Sequence, residues 1–230
     1  ERCTGRLAQG SGNPRDLQAL QSSLAQIPAL RADLEALPSP KSEIRALKLQ
    51  ILDELHEFPE LVSLLESALV EEPPVSPRDG GLIRDGFTPE LDELRSASRD
   101  GKEWIAQMQQ SERERTGIDS LKIKFNNVFG YFIEVTKANL SKVPDDYQRK
   151  QTMANAERYI TPDLKEVEGK VLGADERAKK LEYEEFLKLR GEVTTHLDAL
   201  QRCANGLATL DVLLGLAETA QLYQHTRPVL

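Results

Sequence analysis

Over 13–68 the apolar residues recur at helical spacing. Asn13 can cap a helix and Pro14 suits its first turn, after which Leu17, Leu20, Leu24 and Ile27 fall on one face. Beyond Pro28, Leu30, Leu34 and Leu37 repeat the spacing until Pro38-Ser39-Pro40 interrupts it. Ile44, Leu47, Ile51 and Leu55 open another stripe, and Leu61, Leu64, Leu65 and Ala68 make a further short helix. Together these segments predict an all-α packing unit.

The stretch 71–86 carries Pro73, Pro74, Pro77, Gly80, Gly81 and Gly86, which cannot continue a helix, and reads as an irregular connector. At Thr88-Pro89-Glu90 an N-cap, a first-turn proline and an acid at the positive helix end agree. A rod is predicted from there to about Arg115, where Gly117 can stop it. Over 121–161 the period changes to two. Leu121, Ile123 and Phe125 alternate with Lys122, Lys124 and Asn126, and Tyr131, Ile133 and Val135 alternate with Phe132, Glu134 and Thr136, across a turn at 127–130. A second, weaker hairpin pairs 150–153 with 157–160 around Ala154-Asn155-Ala156. Thr161-Pro162-Asp163-Leu164 then repeats the cap pattern of Thr88-Pro89-Glu90-Leu91, and a second rod is predicted to about Gln201. The stripe Leu207, Leu210, Leu213, Leu214 and Leu216 is expected to return to the first core. The fold class is therefore mainly α with a small antiparallel β module of three or four strands, carried at the tip of two long antiparallel helices. Divided on this basis, the chain has a helical part at 1–87, a central part at 88–179 containing the module, and a second helical part at 180–230.

Composition narrows the function. Charged residues reach 30% and aromatics only 5%, as in amphipathic helices with solvated faces. A net charge of -8 opposes binding of a polyanion over the whole surface, so any such contact must be local. Cys3 and Cys203 match no metal or redox spacing and read as ordinary thiols of a reducing cytoplasm. No apolar run approaches the roughly 20 residues that span a bilayer, and Glu1-Arg2-Cys3-Thr4 does not begin a signal peptide. The chain opens inside a predicted helix, so a piece of a longer protein is expected.

A search for catalytic patterns finds little. No Gly-rich phosphate loop carries Lys and Ser or Thr, and His56, His196 and His225 have no nucleophile at motif spacing. Glu182-Tyr183-Glu184-Glu185 and Glu112-Arg113-Glu114-Arg115 read as solvated helix faces. The β module is different. Over 120–160, Lys122, Lys124, Lys137, Lys142, Arg149, Lys150 and Arg158 stand against Glu134, Asp145, Asp146 and Glu157, a local +3 that leaves -11 elsewhere. A cationic patch on an acidic body suits a protein that touches polyanion with one surface, although strand-edge lysines also serve simply to block aggregation. Asn126, Asn127, Gln151, Thr152 and Asn155 add amides and hydroxyls able to bond phosphate oxygens, with Asn127 better read as a turn residue. Phe125, Phe129, Tyr131, Phe132 and Tyr159 are expected to fill the module's small core.

Glu112-Arg113-Glu114-Arg115-Thr116-Gly117-Ile118, Leu121-Lys122-Ile123, the run from Asn126 through Thr136, Arg149-Lys150-Gln151-Thr152, and the run from Asn155 through Lys165 closely resemble the clamp of the MutS DNA mismatch-recognition proteins. Asn13-Pro14-Arg15-Asp16-Leu17 and Gly81-Leu82-Ile83-Arg84-Asp85-Gly86-Phe87 are similar to that family's core and lever region. The resemblance implies a helical lever interrupted by a clamp that closes on the backbone of double-stranded DNA without sequence preference. It also implies that the family's mismatch reader and its ATPase have no counterpart in this sequence. ATP and magnesium are then expected only for the parent protein. Dimerisation and contacts with other mismatch-repair proteins are likewise expected of the parent, with this chain itself monomeric and cytoplasmic. Ala154 stands where the family commonly has Lys, and Lys124 where it has Gly.

The candidate backbone-binding set is Lys122, Lys124, Asn126, Arg149, Lys150, Gln151, Thr152, Asn155 and Arg158, with no catalytic or metal-ligating residue. Arg158 can instead pair with Glu157 or a helix carboxylate. Three or four neutralised phosphates would weaken binding roughly 40- to 150-fold between about 50 and 200 mM salt. The competing reading is a structural lever whose β tip docks on a protein.

Overall fold

The chain, in a computed structural model that describes residues 1–38 and 42–226, divides into two units: Glu1–Phe87 with Glu182–Leu230, and Thr88–Leu181. The first unit contains α1 (Arg2–Ala8), α2 (Pro14–Leu24), α3 (Ile27–Ala36), α4 (Ser42–Glu54), α5 (Pro59–Ala68), the later part of α7 (Pro162–Thr195) and α8 (Leu197–Leu222). At the start of α2 the side chain of Asn13 accepts from Asp16 N at 3.1 Å, and Asp16 accepts in return from Asn13 N at 3.0 Å. That reciprocal box satisfies two helix-end donors and fixes where α2 begins. Leu17, Leu20 and Leu24 then point inward with Leu7, Leu55, Leu65 and Phe186.

The connector after α5 is held by backbone bonds, Val70 N to Leu82 O and Arg84 N to Ala68 O, and by a buried carboxylate. Glu182 Oε2 accepts from Leu82 N at 2.7 Å and from Ile83 N at 3.3 Å, supplying the partners that an irregular buried backbone needs.

Three expectations for this unit need correction. The rod predicted to reach Gln201 stops at Thr195, and a new helix starts at Leu197 after His196. Thr194 Oγ1 donates to Gly191 O and Thr195 Oγ1 to Glu192 O, a competition with the helix ladder that bends helices. The leucine stripe of α8 does not return to the core: Leu207, Leu210 and Leu213 are half-buried, while Leu214 and Leu216 are exposed. α4 covers α8 where Gly206 lies against Glu54 and Leu55, and burial fades beyond that point. Leu37, Ile44 and Leu47 are also exposed, and of the break predicted at Pro38-Ser39-Pro40, Ser39 and Pro40 lie outside the described residues.

The second unit contains α6 (Pro89–Thr116), β1 (Lys122–Asn126), β2 (Gly130–Thr136), a 3-10 helix (Lys137–Lys142), β3 (Gln148–Thr152), β4 (Ala156–Ile160) and the start of α7. α6 has 28 residues, about 42 Å of helix. Gly117 ends it in the left-handed conformation, φ 64°, its N–H returning to Arg113 O, the geometry glycine supplies without strain. The two similar cap sequences behave differently. Thr161 Oγ1 accepts from Leu164 N at 3.2 Å, whereas Thr88 makes no side-chain cap bond. The four strands are antiparallel in the order β1-β2-β4-β3. One face of the sheet buries Ile133, Val135 and Tyr159 against Ile105 of α6 and Leu164 and Val171 of α7. The mainly helical fold with a small inserted antiparallel sheet is thus as predicted.

Candidate nucleic-acid interface

Helix side chains first fix the sheet in place. Gln109 Oε1 of α6 accepts from Ile123 N at 2.7 Å, Arg113 Nε donates to Leu121 O at 2.7 Å, and Glu168 Oε2 of α7 accepts from Tyr131 N at 2.5 Å. These bonds satisfy main-chain groups that no neighbouring strand reaches. Gly130, with φ 75°, permits the last one: a Cβ there would strike the Glu168 carboxylate. Lys165 Nζ reaches Phe129 O and Glu168, so polar groups occupy the ground beneath the β1–β2 turn. Consequently Phe125 and Phe129, expected in the core, are exposed there beside Val128, whereas Tyr159 lies in the core as expected with Tyr131 packed against it, and Phe132 is buried on the opposite face of the sheet.

The loop before β3 is tied to the end of α6. Tyr147 Oη donates to Glu112 Oε2 at 2.6 Å, and burial, then that carboxylate, raises its pKa above the usual phenol. Arg115 bonds both Glu112 and Asp146. The arginines of the Glu112–Arg115 run are therefore engaged within the protein.

On the face of the sheet opposite this core, one row crosses all four strands. Lys122 of β1 lies opposite Glu134 of β2, Glu134 opposite Arg158 of β4, and Arg158 opposite Gln151 of β3. Lys124 joins the row diagonally, its Nζ 2.7 Å from Glu134 Oε1, a reach that long side chains make across a strand pair. The Arg158 guanidinium lies 4.3 Å from the Phe132 ring centroid and donates through Nη1 to Gln151 Oε1 at 2.8 Å. Among the described residues its acidic neighbour is Glu134, 3.8 Å from Nε, in place of the Glu157 or helix carboxylate that the sequence offered. Adjacent residues of a strand face opposite sides. Glu157 accordingly turns inward, where it is buried, accepts from Tyr159 Oη at 2.5 Å and sits 3.6 Å from Arg149 Nη1. Burial, then this carboxylate, pushes the Tyr159 phenol up to about 12.

β3 begins at Gln148, two residues before the predicted start, and its register shifts between Arg149 and Gln151. Lys150 sits in that irregularity, exposed. Such a bulge breaks the two-residue alternation and bends an edge strand. Thr152 and Asn155 are exposed at the end of the sheet near Thr136, where Asn155 O accepts from Lys137 N. Asn126 lies at the opposite end, and its Oδ1 accepts from Val128 N at 2.8 Å, so this residue builds the turn. The fold therefore gathers Lys122, Lys124, Gln151 and Arg158 on one face, leaves Lys150 in the bulge of the edge strand β3, sets Thr152 and Asn155 toward one end, and separates Asn126 and Arg149 from them. Among the described residues, Lys122 and Lys150 make no ion pair. Glu134 and Glu157 were absent from the candidate set, although Glu134 was visible as the lone acid alternating along β2.

Elsewhere, the fold brings His56 and His196 to one open cleft of about 410 Å³ with Glu57, Glu60 and Arg202. Among the described residues no group of His, Cys, Asp and Glu is placed to hold a metal ion, and no helix is long and apolar enough to cross a membrane.

The sequence profile described as MutS family domain IV matches residues 86–177, which span the whole second unit except its last residues. The chain is 52% identical to the DNA mismatch repair protein MutS of Methanothrix thermoacetophila, over 100% of its own length and 26% of that protein. It is 51% identical to the protein of the same name from Symbiobacterium thermophilum, again over 100% of its length and 26% of the relative. Identity to that of Halothermothrix orenii is 48%, over 99% of this chain and 25% of the relative. The chain belongs to the MutS family, and it spans about a quarter of the length of the curated relatives it matches.

Proposed function

We propose that the face of the sheet carrying Lys122 and Lys124, with Lys150 at its edge, grips the sugar-phosphate backbone of double-stranded DNA without reading bases. The chain is then the clamp and lever portion of a mismatch-recognition protein, with no catalytic step of its own. The observation that carries this reading is that, among the described residues, Lys122, in the row with Arg158 and Gln151, and Lys150 on the edge strand make no ion pair, on a module of +3 within a chain of -8. Phosphate contacts position a protein on a duplex and carry no sequence information directly. The test is titration of the chain with duplex DNA at low salt. Lys150→Glu should weaken binding about tenfold by replacing an attraction with a repulsion; equal affinity of the two proteins would sink the proposal.

A second reading rests on the other end of the sheet. Phe125, Val128 and Phe129 are exposed together at the β1–β2 turn, an apolar end suited to a protein partner while the helices act as a lever. Retention of full DNA affinity in Lys150→Glu, with no affinity change on raising salt, would favour it.

A further inference from the structure

We infer that Glu134 is an internal stand-in for DNA phosphate, and that binding proceeds by exchange: Lys124 leaves Glu134 for a phosphate oxygen, and Glu134 closes on Arg158. This rests on the backbone-gripping reading and assigns different roles to its cations. Lys124 and Glu134 form a 2.7 Å pair in which the lysine side chain is 47% exposed and the glutamate 22%. The lysine is thus the more solvent-facing partner. Arg158 is held: its side chain is 19% exposed, its guanidinium covers Phe132, and Nη1 is bonded to Gln151. Yet its Nε is buried and, among the described residues, has no hydrogen-bond partner, because Glu134 Oε2 stops 3.8 Å away. A buried donor left unbonded is costly. One carboxylate therefore serves two cations and satisfies only the more exposed one. A movement of about 1 Å would bring Glu134 to hydrogen-bond distance of Nε, and that movement becomes possible when Lys124 finds another anion.

Arg158 is by this account a positioning residue that receives Glu134, and Lys124 is the phosphate ligand. The exchange keeps the sheet face closer to neutral until a polyanion arrives, which limits attachment to stray anions.

The experiment uses the whole 230-residue chain and a short duplex, read by fluorescence anisotropy at low salt, with melting curves to establish that each variant is folded. Glu134→Gln should bind roughly three- to tenfold tighter, since it frees Lys124 and removes a charge that repels phosphate. Glu134→Thr, a residue strands accept readily, should do the same if Glu134→Gln proves unstable. In a Lys124→Met background the gain should vanish. In the unsubstituted chain the Arg158 Nε–H resonance should move downfield on adding DNA, and in Glu134→Gln it should not. Unchanged or weaker binding by both Glu134 variants, or a gain that survives Lys124→Met, overturns the exchange. Lys150→Glu measured alongside separates the failures: if it binds as well as the unsubstituted chain, the backbone-gripping reading itself falls, and if it binds worse while Glu134→Gln gains nothing, only the exchange does.

Discussion

Asp16 is 4% exposed yet bears a charge. Burial alone would raise its pKa, but the hydrogen bond from Arg6, the backbone N–H of Asn13 and the Arg6 charge together hold it below the ordinary carboxylate range. A carboxylate whose folded pKa is depressed adds stability that is present above its unfolded value, about 3.9, and lost as pH falls through the folded one. Asp16→Asn keeps the shape but weakens the α2 box and the Arg6 pair. It should cost about 1–2 kcal/mol at neutral pH, read as a lower urea midpoint. As pH falls through the depressed folded pKa of Asp16 the difference between the two proteins should shrink, because both side chains then become neutral; a difference independent of pH would assign the cost to packing alone. The cap itself was legible in Asn13-Pro14 because it is local. Arg6 was not, since its partnership with Asp16 depends on how α1 returns along α2 after the turn at Gly10.

At the scale of elements, two glycines on the rods of the second unit separate close packing from mere tolerance. A Cβ on Gly101 of α6 would strike Cγ2 of Val171 of α7, a stiff side chain, whereas a Cβ on Gly169 of α7 would meet nothing. Alanine improves helix propensity by about 1 kcal/mol at either position. Gly169→Ala should therefore raise the melting temperature. At Gly101 the overpacking, about 1–3 kcal/mol, opposes the gain, so Gly101→Ala should be neutral or destabilising. In a Val171→Ala background it should become stabilising, and failure of that reversal would remove Val171 as the cause. Rods, turns and strands were largely legible because period and caps are local signals: Thr161 caps as its letters suggest, and Gly117 stops α6. Pairings between elements were harder to read. Which acid meets Arg158 depends on cross-strand register, and the shift between Arg149 and Gln151 cannot be read from a two-residue period. Phe125 and Phe129 were misplaced for a related reason, because only the return of α7 beneath the turn puts Lys165 and Glu168 where a core would have been.

Across the molecule, the pairing of charges changes how strongly salt should act. With five candidate cations in the sequence, three or four neutralised phosphates are the sequence-based expectation. In the structure Arg149 faces Glu157, Arg158 is held over Phe132 beside Glu134, and Lys124 pairs with Glu134, while among the described residues Lys122 and Lys150 make no ion pair; the proposed exchange adds Lys124 to the phosphate contacts. Two or three phosphates are then the expected number. With a slope of about 0.9 per phosphate, raising salt from about 50 to 200 mM should weaken binding roughly 12- to 40-fold. The remaining -11 of the chain adds a repulsion that the same salt screens, so the measured loss should lie toward the lower figure. A loss near 150-fold would mean that Arg149 or Arg158 abandons its carboxylate to reach DNA as a fourth phosphate contact. A loss under about threefold would mean that binding releases almost no counterions, and the lysine face of the sheet would not be the grip.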